Sequence, residues 1–132
     1  MMNKLYNIHI IWPLGFMGCI FILSSIPMDG GPDNIAFLTD LNPGLQNLLH
    51  IPLYGILAFL WVRFFAKIGW PVGRAVVLTL VIAIGYGCLD EIHQSFVPGR
   101  YGGLLDILLN SFGAVLGAGM YKFHFQFPGH HT

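Results

Sequence analysis

The apolar run from Val72 to about Ile92 ends on two adjacent acids, Asp90 and Glu91. A run of about 20 apolar residues is what a helix needs to cross the hydrocarbon core of a bilayer. Ionisable groups at membrane depth are costly and mark function by default. A chain that carries carboxyls there must turn them away from lipid and towards its own helices. Arg100 follows ten residues after Asp90, and Asp106 and Asn110 lie inside the next apolar run.

That run is one of four. The others extend from about Ile8 to Leu23, from about Leu48 to Ala66, and from about Leu104 to Phe123. In lipid the backbone must satisfy its own hydrogen bonds, so these segments are expected to be helices. The expected fold is all-α: an integral membrane bundle of four transmembrane helices, residues 8–23, 48–66, 72–92 and 104–123, forming a single domain over 1–132. Composition agrees, because 55% of residues are hydrophobic and only 9% are charged, where soluble domains carry roughly 25% charged residues. The net charge is zero, which gives no electrostatic footprint for nucleic acid. Cys19 and Cys88 sit in separate apolar runs without a metal-binding or redox spacing and read as small buried hydrophobes. His130 and His131 read as part of a polar tail.

The first run follows Lys4 and resembles a signal peptide in outline. Ser24-Ser25-Ile26-Pro27 then leads into an acidic loop and offers no small-x-small cleavage site, so a retained helix is expected. Lys and Arg set orientation. With four spans, Lys4, Arg63, Lys67, Arg74 and Lys122 all fall on one side, and Arg100 falls on the other with Asp29, Asp33 and Asp40. Both termini are therefore expected in the cytoplasm, and the loops at about 24–47 and 93–103 face outward. A short interfacial helix is expected from Asn34 to Asp40.

Helical rise then places several polar groups at one depth. Asp90 lies 16 residues after Arg74, Lys122 lies 16 after Asp106, and Lys67 lies 17 after His50. At 1.5 Å per residue these separations are roughly 24–26 Å. His50, Asp90 or Glu91, and Asp106 thus meet one layer just inside the outer interface, with Ser24 and Ser25 near it. Helical spacing puts Ala83, Gly87, Asp90 or Glu91, and Gln94 on one face. It does the same for Asp106, Asn110, Gly113, Gly117 and Tyr121, and for His50, Tyr54, Leu57 or Ala58, and Trp61. The glycines allow close helix approach.

Each group also has a plain role. Glu91 beside Asp90 can mark the membrane boundary in water, Asp106 can serve the dipole at a helix N-terminus, and Arg100 can snorkel to headgroups. None of these accounts for Asn110 one turn deeper than Asp106. The Val97-Pro98-Gly99 turn is expected to fold Arg100 back over the acids. Gln94 and Asn110 read as interhelical hydrogen-bond partners that hold the cluster.

The sequence resembles the VanZ-like membrane proteins in Ser24-Ser25-Ile26-Pro27, in His50-x-x-x-Tyr54-Gly55, in the segment from Asp90-Glu91 through Gln94, Phe96 and Pro98-Gly99-Arg100, and in Asp106-x-x-x-Asn110-x-x-Gly113. The resemblance covers nearly the whole chain. Members often carry a Lys three residues before the helix-two His; here that position is Asn47. The resemblance implies a multi-pass protein of the bacterial plasma (inner) membrane. It also implies a link to the cell envelope and to resistance against the glycopeptide antibiotic teicoplanin, with which the founding member is associated.

Two functional expectations stand side by side. In the first, the protein acts on a lipid-linked or envelope substrate at the outer leaflet, such as a lipid-linked cell-wall precursor. Glu91 or Asp90 is then general acid or base, Asp106 the second carboxylate or a partner to His50, and Arg100 the anchor for an anionic headgroup. Glu91, Asp106, Arg100 and His50 are the candidate catalytic residues; Asp90, Gln94, Asn110, Tyr54 and Ser25 are the candidate substrate-binding residues. In the second, the cluster only binds, or only locks the bundle through a Glu91–Arg100 salt bridge. Two carboxylates and a His can hold a divalent metal, but the sequence gives no closed ligand set, so no cofactor is expected. Membrane lipids are the expected partners.

Overall fold

The computed structural model describes residues 2–28 and 43–126. The expected helix at 34–40, the acids Asp29, Asp33 and Asp40, the side chain of Lys4, and His130 and His131 lie outside the residues or side chains described. Among the described residues every regular element is helical: α1 (Met2–Ser24), α2 (Pro43–Leu48), α3 (His50–Lys67), α4 (Val72–Gln94) and α5 (Leu104–Gln126).

The expectation of four spans is met in part. Three helical stretches, Gly44–Lys67, Val72–Gln94 and Leu104–Phe125, are long and apolar enough to cross a membrane. The apolar part of α1, His9–Ser24, is shorter. The second expected helix, 48–66, is interrupted near its start, because Leu49 is a turn between α2 and α3. Pro52 explains the interruption: a proline lacks an N–H, and its ring clashes with the carbonyl four residues earlier, here that of Leu48.

The ends of the helices are shaped by local chemistry. After α3 the Trp70 N–H donates to the Phe65 carbonyl at 3.0 Å and the Gly69 N–H to the Ala66 carbonyl at 3.1 Å, with Gly69 at φ +88°. This is a Schellman stop, which favours glycine because the residue is left-handed. Pro71 follows and fixes the entry into α4. After α4, Val97–Arg100 form a turn in which the Arg100 N–H donates to the Val97 carbonyl at 3.1 Å and Gly99 takes φ +74°.

Helices α3 and α5 make the closest contact in the bundle. A Cβ at Gly113 would collide with the Ile51 backbone, and one at Gly117 with the Gly55 backbone. The Gly113-x-x-x-Gly117 pair is therefore a backbone-to-backbone seam, driven by packing where no hydrophobic effect operates between helices. Near the end where α3 stops, Trp61, Phe64, Phe65 and Trp70 stack in a continuous aromatic cluster. At the other end the pattern inverts. Asp90, Glu91, Gln94, Asp106 and Asn110 are buried, while Val81, Leu89, Ile92, Leu105 and Leu108 are exposed. Polar inside and apolar outside is the arrangement of a protein solvated by lipid. The cysteines depart from expectation: Cys19 is exposed on α1 and Cys88 only half-buried, because an outward face in lipid suits a small hydrophobe as well as a core does.

Candidate functional site

The three faces expected from helical spacing all turn inward. Ala83, Gly87, Asp90, Glu91 and Gln94 of α4 are buried, as are Asp106, Asn110, Gly113, Gly117 and Tyr121 of α5. Tyr54, Leu57, Ala58 and Trp61 of α3 join them, and His50 is half-buried at the head of α3. Asn110 reaches α4 because Gly87 leaves a notch: a Cβ there would stand 3.2 Å from the Asn110 Cβ and 3.3 Å from the Tyr54 ring.

Within this cluster Asn110 organises two partners. Its Nδ2 donates to Glu91 Oε1 at 3.3 Å, and its Oδ1 lies 2.8 Å from His50 Nδ1. An amide nitrogen cannot accept, so the Glu91 bond fixes Oδ1 as the atom facing His50. His50 Nδ1 must then be the donor, which leaves the lone pair on Nε2. Glu91 is held from its other side by the Gly103 N–H, which donates to Oε2 at 3.2 Å. His50 Nδ1 and Glu91 Oε1 stand 3.9 Å apart.

A second pair is built around Asp90. The Tyr54 hydroxyl donates to Asp90 Oδ2 at 3.2 Å and Gln94 Nε2 donates to the same oxygen at 3.1 Å. Gln94 Nε2 also lies 3.3 Å from Ser24 Oγ and so ties α4 to the end of α1. The other Asp90 oxygen, Oδ1, is buried without a hydrogen-bond partner, and so is Asp106 Oδ1. Buried polar atoms are nearly always paired, so two bare carboxylate oxygens in one cluster call for a ligand, a proton or water.

Both aspartates line a cavity of about 510 Å³. His50, Tyr54, Gln94 and Arg100 also line it, with Ile20, Leu23 and Leu53 supplying apolar wall. The cavity thus combines a charged floor with an oily side, a combination suited to an amphipathic ligand.

Two expectations are corrected here. Arg100 does not fold over the acids. Its Nε donates to the Ile26 carbonyl at 3.0 Å and one terminal nitrogen to the Leu23 carbonyl at 2.9 Å. Leu23 lies in the last turn of α1, at the negative end of its dipole, and Ile26 lies just past that helix. The Met28 N–H adds a bond to the Pro98 carbonyl at 3.1 Å. Arg100 therefore clasps the end of α1 to the turn after α4, and the expected Glu91–Arg100 salt bridge does not form; the basic side chain beside Glu91 is His50, at 3.9 Å. Burial pushes the Arg100 pKa below its ordinary value, and the nearby Asp90 and Glu91 carboxyls oppose that shift.

The second correction concerns Ser25. Its hydroxyl donates to the Phe21 carbonyl at 2.7 Å and lies 3.0 Å from His93 Nε2, whose ring stacks on Phe21 with centroids 4.6 Å apart. Ser25 and His93 join α1 to α4 outside the cavity. Ser24 is the serine that lines it.

Spacing did not single out Gly102 and Gly103 for the site. A Cβ at Gly102 would collide with the Glu91 carbonyl, and only that close approach lets the Gly103 N–H reach the Glu91 carboxyl. The adjacent glycines were the signal. Asn47, the position where a Lys was expected by resemblance, also lines the cavity.

A family model described as VanZ/LLP1 matches residues 3–125. No curated protein and no solved structure matches the chain significantly. The match takes in the inward-facing cluster and every described helix that carries it, with apolar spans on which an inside-out bundle depends: the chain belongs to the VanZ/LLP1 family of membrane proteins.

Proposed function

We propose that the protein receives the headgroup end of an anionic, lipid-linked envelope substrate in the cavity between α1, α3 and α4, at the outer face of a bacterial plasma membrane. The observation that carries this reading is the cavity itself, in which His50, Asp90, Asp106 and Arg100 share about 510 Å³ with the apolar Ile20, Leu23 and Leu53. Polar groups for a headgroup and apolar wall for a lipid stem are both present at one end of the bundle. Arg63, Lys67, Arg74 and Lys122 belong to the opposite ends of α3, α4 and α5. By the positive-inside rule that end is cytoplasmic and the cavity faces out.

In an acting role, Glu91 and His50 form the proton-handling pair. The two are oriented by Asn110 and partly withdrawn from water, as a general acid and base require. Asp106 supplies a further carboxylate. In this reading a change in envelope lipid or precursor chemistry is the route by which the protein affects teicoplanin susceptibility. A second reading, a bundle lock without chemistry, is favoured by one observation: every hydrogen bond found for the Arg100 guanidinium goes to backbone at or just past the end of α1.

Teicoplanin susceptibility of a Gram-positive host separates the two. Wild type, Glu91→Gln and Arg100→Ala are compared at matched membrane levels. Protection by wild type and Arg100→Ala but not by Glu91→Gln supports chemistry at Glu91. Equal protection by wild type and Glu91→Gln removes the acid–base role. No effect of wild type removes the resistance link, and lipid profiling of a deletion strain becomes the test of the envelope substrate.

A further inference from the structure

We propose that His50, Asp90 and Glu91 form a seat for one divalent cation, through one ring nitrogen and one oxygen of each carboxylate. These three atoms lie within 4.8 Å of one another. For three atoms so placed there is always a point no farther than about 2.8 Å from any of them (4.8 Å divided by √3). Bonds from a zinc ion to imidazole or carboxylate are about 2.0–2.2 Å, so the side chains need to close by well under an ångström.

Geometry alone would be weak, since acidic clusters are common. The independent observation is the bare, buried Asp90 Oδ1. Asp90 is only 4% exposed and lines the cavity. Its other oxygen is held by Tyr54 and Gln94, and Glu91 is held by Asn110 and Gly103. This is the outer layer that metal-binding carboxylates and histidines usually require, with partners that orient each ligand from behind. Asp106, also with a bare buried oxygen, faces the same cavity and can serve as a further ligand.

Charge points the same way. Three carboxylates lie near one arginine here, and that arginine is committed to the Leu23 and Ile26 carbonyls. An anionic headgroup would be repelled by such a floor. A divalent cation balances the excess and offers open coordination positions to phosphate or carboxylate oxygens of a ligand. A mixed nitrogen and oxygen ligand set suits Mn²⁺ or Zn²⁺. The inference rests on the cavity being a binding site, but its test needs no envelope substrate. Failure of the cation seat leaves the cavity and its outward face standing but removes the counter-charge for an anionic headgroup, and failure of the susceptibility assay leaves the seat standing.

The full chain is purified in detergent, stripped with chelator, desalted and titrated with Mn²⁺, with free Mn²⁺ read by electron paramagnetic resonance. One Mn²⁺ per chain is expected, displaced by Zn²⁺, with a higher unfolding temperature when bound because the cation stabilises only the folded state. Glu91→Gln and Asp90→Asn are expected to weaken binding at least about tenfold, and Ser111→Ala, whose hydroxyl donates to the Ile107 carbonyl of its own helix, to leave it unchanged. Pulsed spectra of wild-type protein with Mn²⁺ are expected to show coupling to one imidazole nitrogen, a readout that depends on no variant. Absence of Mn²⁺ binding at millimolar concentration, absence of the nitrogen coupling, or unchanged affinity in both carboxyl variants overturns the proposal.

Discussion

His50 and Glu91 approach to 3.9 Å without sharing a hydrogen bond, because Asn110 stands beside both and satisfies each with a different end of one amide. Three helices meet in that arrangement, since His50 begins α3, Glu91 lies near the end of α4, and Asn110 sits two turns into α5. The amide fixes the tautomer of the histidine and the rotamer of the carboxyl. It also makes the acid and the base interdependent.

Removing the amide should therefore disturb both partners. Asn110→Ala leaves the His50 Nδ1 and Glu91 Oε1 without their shared partner in a buried setting, which typically costs about 1–3 kcal/mol. The expected outcome is a lower unfolding temperature in detergent together with loss of any Glu91-dependent phenotype. Asn110→Asp should be worse than its size suggests, because a second carboxylate then faces Glu91 where an N–H stood. Thermal unfolding of the three proteins side by side checks the order.

The seam between α3 and α5 gives a graded steric prediction. Gly117→Ala drives a methyl into the Gly55 backbone and Gly113→Ala drives one into Ile51, whereas a Cβ at Gly55 meets the Gly113 carbonyl at 3.3 Å and one at Gly119 meets nothing. Overpacking of a tight contact costs about 1–3 kcal/mol. Gly117→Ala and Gly113→Ala should lower folded yield and unfolding temperature, Gly55→Ala should do so less, and Gly119→Ala should be neutral or slightly stabilising. A ranking of detergent stability tests all four at once.

Arg100 should behave as a helix clasp. Hydrogen bonds from a charged donor contribute about 1.5–3 kcal/mol each way they are lost. Arg100→Ala is expected to free the end of α1, seen as faster amide exchange over residues 21–28 with little change in α3 and α5. Arg100→Lys should recover only part of the protection, because one ammonium cannot reproduce a planar fork aimed at Leu23 and Ile26. Uniform exchange increases across the bundle would instead make Arg100 a global fold determinant.

Asn47 offers a test of the electrostatics of the cavity. Asn47→Lys introduces an ammonium on a wall shared with Asp90 and Asp106. It should weaken Mn²⁺ binding to the purified protein, with the effect shrinking as salt is raised, since exposed charges are screened. An unchanged affinity at low salt would separate residue 47 from the carboxyl cluster.

Much of this molecule was legible before its structure. Apolar run length and backbone hydrogen-bond need dictated helices, and the meeting of Asp90, Glu91, Asp106 and His50 at one end of the bundle followed from helical rise counted from Arg74, Lys122 and Lys67. Helical spacing identified the inward faces, including Gly87 and Asn110, because a period of 3.6 residues leaves little freedom over where a polar side chain can point in lipid. The misreadings have one cause. Whether Arg100 turned to the acids or to α1, and whether Ser24 or Ser25 entered the cavity, depended on competition between acceptors that are distant in the chain. The Leu23 and Ile26 carbonyls, at and just past the end of α1, won Arg100, since they sit at the negative end of a helix dipole. The close approach of Gly102 to Glu91 likewise exists only once α4 and α5 have packed. Sequence alone determined which residues had to turn inward and at which end of the bundle they would meet; tertiary structure decided which partner each one met, because hydrogen bonds are short and directional and are chosen only after the helices are in place.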